Sequence, residues 1–369
     1  MTGFPEGNAI VFCEGAFGTP NGKTAHGLVR RTNRYRVLSV IDSKHANKDS
    51  GEILDGRPNG ISIFSDLSTA MENSQKTGPN PTHFVVGLAP DGGRLSPEHR
   101  SSVVEAIRSG LNIDSGLHDF LSEDEEMIRL SQEYSVVIRD VRKPPPMSAL
   151  HFFSGKIEQV DCLKVAVLGT DSAVGKRTTA WILTEALNGA GYPTELIGTG
   201  QTAWMQGVNY GIIMDSLIND FVSGEIEHAV WSAWNNRRPE LILIEGQGSL
   251  MNPAYPGGFE ILAAGRPDVV ILQHAPARKD YDGFPGYPIQ PLDIQIKAVE
   301  LLSGKKVVAI TINHEDLSKD VIPSICRKIE QQTGRPTVDV LLEGADKIIH
   351  PLLSIQGAKS AKNKDKVKR

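Results

Sequence analysis

The stretch Leu163 to Thr179, LKVAVLGTDSAVGKRTT, restricts the fold of this chain more than any other. An apolar run from Val165 to Leu168 empties into a glycine-bounded loop, and from Thr178 onward the apolar spacing turns helical. Strand, loop and helix in that order build a phosphate cradle. Backbone N–H groups at the helix start point into the loop with the positive end of the helix dipole, and Lys176 adds a full charge. The P-loop pattern G-x-x-x-x-G-K-S/T is met at Gly175 and Lys176, whereas Thr170 stands at the first glycine's place with Gly169 one residue earlier. Arg177 follows the lysine, where a Ser or Thr hydroxyl ordinarily holds Mg²⁺. Either Thr178 or Thr179 takes the metal over, or the loop holds phosphate without it.

A second feature downstream supports the cradle. Leu241 to Ile244 reads as a buried strand closed by Glu245-Gly246-Gln247-Gly248-Ser249. A carboxylate there is poorly solvated unless it serves a partner, and it stands where a P-loop domain keeps its Mg²⁺- or water-holding acid. Between the two, a helix runs from Thr178 to about Ala190, and a strand Glu195 to Ile197 ends in the polar loop Gly198-Thr199-Gly200-Gln201-Thr202. Asp215 to Asn235 reads as a helix whose polar face carries Asp220 and Glu227, for solvation or for the site. Asp268 to Gln273 is the next strand, leading into His274, Arg278 and a Gly-, Pro- and Tyr-rich loop through Pro291. Lys306 to Ile312 ends in Asn313-His314-Glu315-Asp316, with Asn and Asp spaced as in loops that read a nucleotide base. Thr337 to Leu341 reads as the final strand.

The N-terminal part is separate. Asn8 to Cys13 is a strand, Gly15, Gly18 and Gly22 punctuate the loop after it, Thr24 to Arg31 is a helix, and Tyr35 to Ile41 is a strand closed by Asp42. This outlines a dinucleotide-binding unit, but the glycine spacing is not G-x-G-x-x-G, so the expectation is Rossmann-like topology without NAD. Further strands are read at Ile61–Phe64, His83–Leu88, Leu111–Ile113 and Tyr134–Val141, with helices capped by Asp66 and by Ser96-Pro97. Glu123 to Glu126 reads as a solvated first helical turn. Three prolines, Pro144 to Pro146, make a semi-rigid spacer. The expected fold class is α/β, with a Rossmann-like domain (1–142), a proline-rich linker (143–150), a P-loop NTPase-like domain with a mostly parallel sheet (151–357) and a basic disordered tail (358–369). Lys23, His26 and Asp42 fall at the ligand-receiving edge of the first domain and are candidate substrate contacts. That domain is expected to close over the P-loop domain or to build a subunit interface, which makes a homo-oligomer the expected assembly.

A net charge of −5 gives no general attraction to nucleic acid or to an anionic membrane. No apolar run approaches the roughly 18 residues of a membrane span, and no N-terminal stretch has the make-up of a signal peptide. Three scattered cysteines, Cys13, Cys162 and Cys326, suit a reducing compartment, so the expected place is the cytoplasm and the expected partners are small molecules.

Taken together, KTAHGL from Lys23, VIDS from Val40, GTDSAVGKRTT from Gly169, GTGQT from Gly198, EGQGSL from Glu245 and His274-Ala275-Pro276 with Arg278 resemble the DUF1611 family. The likeness extends over nearly the whole chain and points to the D-glutamate N-acetyltransferase branch. The loop is also similar to that of dethiobiotin synthetase, apart from Arg177. The resemblance implies acetyl transfer from acetyl-CoA to the amino group of a D-amino acid. Gly169, Thr170, Ser172, Gly175, Lys176, Arg177, Thr178 and Thr179 would hold the donor's phosphates, Asn313 would lie near its base, and Asp220 near the acceptor. Glu245 or Asp171 would be the base; Gln201, His274 or backbone N–H groups would serve the oxyanion; Arg278 and Arg177 would clamp a dicarboxylic acceptor. The alternative is an ATP- and Mg²⁺-dependent ligase or kinase, with Thr178 and Glu245 on the metal and Asn313 and Asp316 near the base.

Overall fold

The computed structural model describes residues 5–367. It divides into two compact units, one built from the chain up to Pro144 together with Gln201–Val208, the other from Pro145–Gly200 and the chain from Asn209 on. Each unit holds one parallel sheet. In the first, β1 (Gly7–Phe12), β2 (Tyr35–Ile41), β3 (Ser62–Phe64), β4 (His83–Val86), β5 (Asn112–Ser115) and β6 (Ile138–Asp140) lie in the order β3-β2-β1-β4-β5-β6. The order turns back at β1 and β4, the doubly wound arrangement of a Rossmann-like unit.

In the second unit, β7 (Leu163–Gly169), β8 (Thr194–Gly198), β9 (Tyr210–Gly211), β10 (Leu241–Glu245), β11 (Val269–His274), β12 (Val307–Ile312) and β13 (Thr337–Val338) lie in the order β13-β12-β11-β7-β10-β8-β9. Every pairing in it is parallel. Parallel strands covered on both faces are apolar along their length, and every residue of β7 and β10 is buried. Leu168, Ile242, Ile244, Val270 and Leu272 belong to one core cluster, each side chain contributing about 1.5–3 kcal/mol by leaving water. With β10 and β11 on either side of β7, the loops after these three strands open at one sheet edge.

Several boundaries differ from the sequence expectation for local reasons. The last strand stops at Val338, because the Asp339 carboxylate accepts the Leu341 and Leu342 N–H groups and starts a helical turn. β6 starts only at Ile138, since Ser135 takes a left-handed φ of 54° that breaks an extended strand. The helix expected from Asp215 starts at Asn219. The tail expected to be disordered is helical as far as Val367, the end of a helix begun at Asp346, and its last two residues lie outside the described ones. Lys359 helps to hold that helix, donating to the Cys162 carbonyl and pairing with Asp268, both at 2.6 Å. Among the described residues, no helix is long and apolar enough to cross a membrane.

The excursion Gln201–Val208 is a feature the sequence did not announce. Its Trp204 ring takes the Arg34 guanidinium at 3.7 Å and that of Arg139 at 4.6 Å. Thr202 and Thr24 share a hydroxyl hydrogen bond of 2.8 Å, and the Gln206 side chain donates to the carbonyl oxygens of Gly27 and Arg31.

Candidate active site at the phosphate-binding loop

Residues 169–175 turn from β7 into the helix Lys176–Gly189. Gly175 enters the helix at φ +103°, a left-handed value that costs other residues strain. Lys176 is buried, and its Nζ donates to the carbonyl oxygens of Asp171 and Gly248, both at 2.7 Å. The ammonium thereby ties the loop after β7 to the loop after β10. Gly246 lets the second loop come close, because a Cβ there would lie 2.4 Å from the Val167 carbonyl oxygen.

Asp171 is the pin of the assembly. One carboxylate oxygen accepts the Ser172 N–H at 2.7 Å and the Asn252 amide at 2.8 Å. The other accepts Arg278 Nη1 and the Asp282 N–H, both at 2.8 Å. A carboxylate offers about four acceptor positions, and these bonds fill them. Asp171 therefore holds three loops in register, which leaves it no oxygen with which to take a proton from a substrate. Arg278 is committed as well: Nη1 also reaches the Ser172 carbonyl at 2.8 Å, and Nη2 pairs with Glu315 at 2.5 Å. The Ser172 hydroxyl donates to Asp282 at 2.7 Å. Asp171, expected as a base, and Arg278, expected as a clamp, pair with each other and hold these loops in register.

Glu245 is placed differently. It is buried at the end of β10, and its carboxylate accepts the Thr199 N–H at 2.9 Å. Burial pushes its carboxyl above the usual carboxylate range, while Arg177, the Thr199 amide and Lys176 pull it back. A carboxyl with raised proton affinity beside two cations has the makings of a general base. His274 closes β11 with Nδ1 3.0 Å from the Thr170 hydroxyl, and burial lowers its imidazole to about 4. It is neutral at physiological pH.

Residues 151–349 match the family model of the DUF1611 P-loop domain, a domain of unknown function, and residues 43–144 match its Rossmann-like N-terminal domain. The chain belongs to the DUF1611 family. A D-glutamate N-acetyltransferase from Pseudoalteromonas sp is 32% identical over 277 residues, 72% of this chain and 80% of its own length. A protein of the same name from Tritonibacter scottomollicae is 29% identical over 279 residues, 74% of this chain and 81% of its own. The crystal structure of a DUF1611 family protein from Anabaena variabilis matches with a TM-score of 0.86 at 27% identity, over 95% of this chain and 100% of that one.

In this DUF1611 chain Gly169, Thr170, Ser172, Gly175, Lys176, Arg177, Thr178 and Glu245 gather around the loop edge with His274. Thr179 is buried, its hydroxyl turned to Gln273 Oε1 at 2.5 Å, so it serves the scaffold. Asn313 accepts the Glu315 N–H at 3.0 Å, and Asp316 takes a left-handed φ of 57°. That pair shapes its own loop. Asp220 is exposed in the first turn of the helix Asn219–Arg237, where a carboxylate suits the helix dipole. Glu227 accepts the Ser154 and Ile157 N–H groups and is structural. Gln201, Lys23, His26 and Asp42 belong to the first unit. Asp42 is buried between the Gly15 N–H at 2.9 Å and His45 Nδ1 at 2.6 Å, shaping the glycine loop. His26 Nε2 bonds the Phe17 carbonyl at 2.6 Å with its ring edge-on to Phe17. His26→Ala is therefore expected to lower Tm by a few degrees, about the worth of one lost part-buried hydrogen bond, with steady-state KM values unmoved. A raised KM for the amino-acid acceptor at unchanged Tm would return His26 to the site.

Thr199, Asn252, Gln273, Asp282 and Glu315 were not among the sequence candidates. Gln273 carried a signal as a polar residue near the end of an otherwise apolar strand, and Thr199 and Glu315 as members of polar loops that follow strands.

Proposed function

We propose that this protein is an N-acetyltransferase that moves the acetyl group of acetyl-CoA to the amino group of a D-amino acid, with D-glutamate as the acceptor. The observation that carries the reading is the buried Glu245 carboxyl of raised proton affinity beside a phosphate-binding loop. The names of the two curated relatives support it. Coenzyme A carries an ADP moiety, so the loop's N–H groups and Lys176 would hold the donor by its phosphates without cleaving them. Glu245 takes the proton as the amine nitrogen attacks the thioester carbonyl; the N–C bond forms, the C–S bond breaks and the CoA thiolate leaves. In the tautomer whose Nδ1 accepts from the Thr170 hydroxyl, the neutral His274 would carry its hydrogen on Nε2 and donate it to the oxyanion. No thiol relay is invoked, since burial pushes Cys162 up to about 12, Cys326 up to about 11 and Cys13 higher still.

The ATP- and Mg²⁺-dependent reading needs a hydroxyl on the metal. Arg177 stands at that place and the Thr179 hydroxyl is spent on Gln273, so Thr178 and Glu245 would have to hold the ion. The deciding experiment incubates the protein with acetyl-CoA and D-glutamate and follows free thiol and N-acetyl-D-glutamate by mass spectrometry. Equal amounts of both are expected. ATP consumption with a carboxylic or amino substrate, and no thiol release from acetyl-CoA with any D-amino acid, would replace this function with a ligase or kinase.

A further inference from the structure

The residue after the loop lysine poses a problem of charge. Arg177 carries a permanent positive charge and only donors, so it cannot ligate a cation. The two threonines that follow are placed differently. Successive side chains on a helix point about 100° apart, so Thr178 is turned by that angle from the direction of residue 177. Thr179 is buried, with its hydroxyl on Gln273. Asp171, the other carboxylate on the loop, has its acceptor positions filled by Ser172, Asn252, Arg278 and Asp282. Among the described residues no group of three or more His, Cys, Asp or Glu is disposed to hold a metal ion. Arg177 itself, in the first turn of the helix beside buried Lys176, is the strongest of the charges acting on Glu245. Two cations, Lys176 and Arg177, thus act on the buried Glu245 at this edge.

We infer that the Arg177 guanidinium does in this loop the work a magnesium ion does where a hydroxyl follows the lysine: it neutralises the ligand's phosphates directly, and the site binds a phosphorylated donor without a divalent cation. The inference rests on the reading of the loop as the donor's phosphate site. A guanidinium suits the task because its planar fork pairs two phosphate oxygens at once and its charge does not titrate. It also explains how a P-loop can serve a reaction in which no phosphate bond is broken. The loop retains its grip on the phosphates and lacks the residue that would assist their cleavage.

The test is calorimetric titration of the full-length protein with coenzyme A, once in EDTA and once in excess Mg²⁺, for the parent and for Arg177→Ser and Arg177→Lys. The parent is expected to bind coenzyme A with Kd values within about twofold of each other in the two buffers. Arg177→Ser, which restores the hydroxyl, is expected to bind about tenfold to hundredfold more weakly in EDTA, the worth of one charge-assisted contact, and to recover part of that loss in Mg²⁺. Arg177→Lys, retaining charge without the fork, should fall between them and guards against a misfolded serine variant, as do melting curves of both without ligand. A parent Kd tightened tenfold by Mg²⁺, or a serine variant that binds like the parent in EDTA, overturns the inference. A parent that binds neither coenzyme A nor ATP in either buffer overturns the phosphate-site reading and the inference with it.

Discussion

Glu245→Gln is expected to lower acetyl-transfer turnover by about a hundredfold or more, the usual loss on removing a general base, while coenzyme A affinity stays within about twofold. The amide retains an oxygen for the Thr199 N–H, so the local fold survives. What disappears is a group able to take a proton. The same substitution has a consequence for stability whose sign follows from linkage. Burial holds the Glu245 carboxyl above its usual range in the folded protein, so the folded state binds that proton more tightly than the unfolded one. Its contribution is most favourable below the ordinary glutamate value of about 4.3 and is lost as pH rises through the folded value. Thermal melts across that interval should therefore show the parent losing Tm relative to the glutamine variant as pH increases. The rate should show the reverse, since only the ionised form is a base, and the acid limb of kcat/KM should lie above the ordinary carboxylate value. Equal losses of binding and turnover would mark Glu245 as a ligand-holding group instead.

Lys176→Ala removes a fixed charge and a tether at once. A charge-assisted phosphate contact is worth about 1.5–3 kcal/mol, so donor affinity should fall about tenfold to hundredfold. The variant also leaves the Asp171 and Gly248 carbonyl oxygens without the ammonium that joins them. An orphaned buried acceptor costs about 1–3 kcal/mol, which in a unit of this size is a Tm drop of about 2–4 °C per kcal/mol. Calorimetry and melting curves together separate the two effects, because ligand saturation restores neither tether. Unchanged affinity for both coenzyme A and ATP would remove the phosphate site from the loop.

The part of this protein legible in its sequence is the part encoded locally. The cradle was readable because strand, glycines, lysine and helix lie within one stretch of chain, and parallel sheets were readable because their buried strands are unbroken apolar runs. The division of labour between the two acids was not. Asp171 and Glu245 each follow or close an apolar strand, and nothing nearby tells them apart. What distinguishes them is a set of partners 81, 107 and 111 residues beyond Asp171, namely Asn252, Arg278 and Asp282. Arg278 shows the same limit: a cation near a sheet edge looks free until its counter-ions, Asp171 and Glu315, are placed. His26 and Asp42 were drawn toward the site by their loop positions, whereas their bonds run inward to Phe17, Gly15 and His45. The helical tail was missed because lysines without an apolar face read as solvent, although lysine and alanine are good helix formers and no proline follows Pro351.

The strand-to-helix excursion Gln201–Val208 constrains how the molecule can be assembled as it is synthesised. The first unit is not finished when its own sheet has left the ribosome. Arg34 and Arg139 wait for the indole of Trp204, and the Gly27 and Arg31 carbonyl oxygens wait for Gln206, until the phosphate loop, its helix and β8 have all been made. The order of completion is interleaved. For the same reason the linker at Pro144 is not a line along which the chain can be cut into two self-sufficient pieces, because the N-terminal piece would lack the eight residues that complete it.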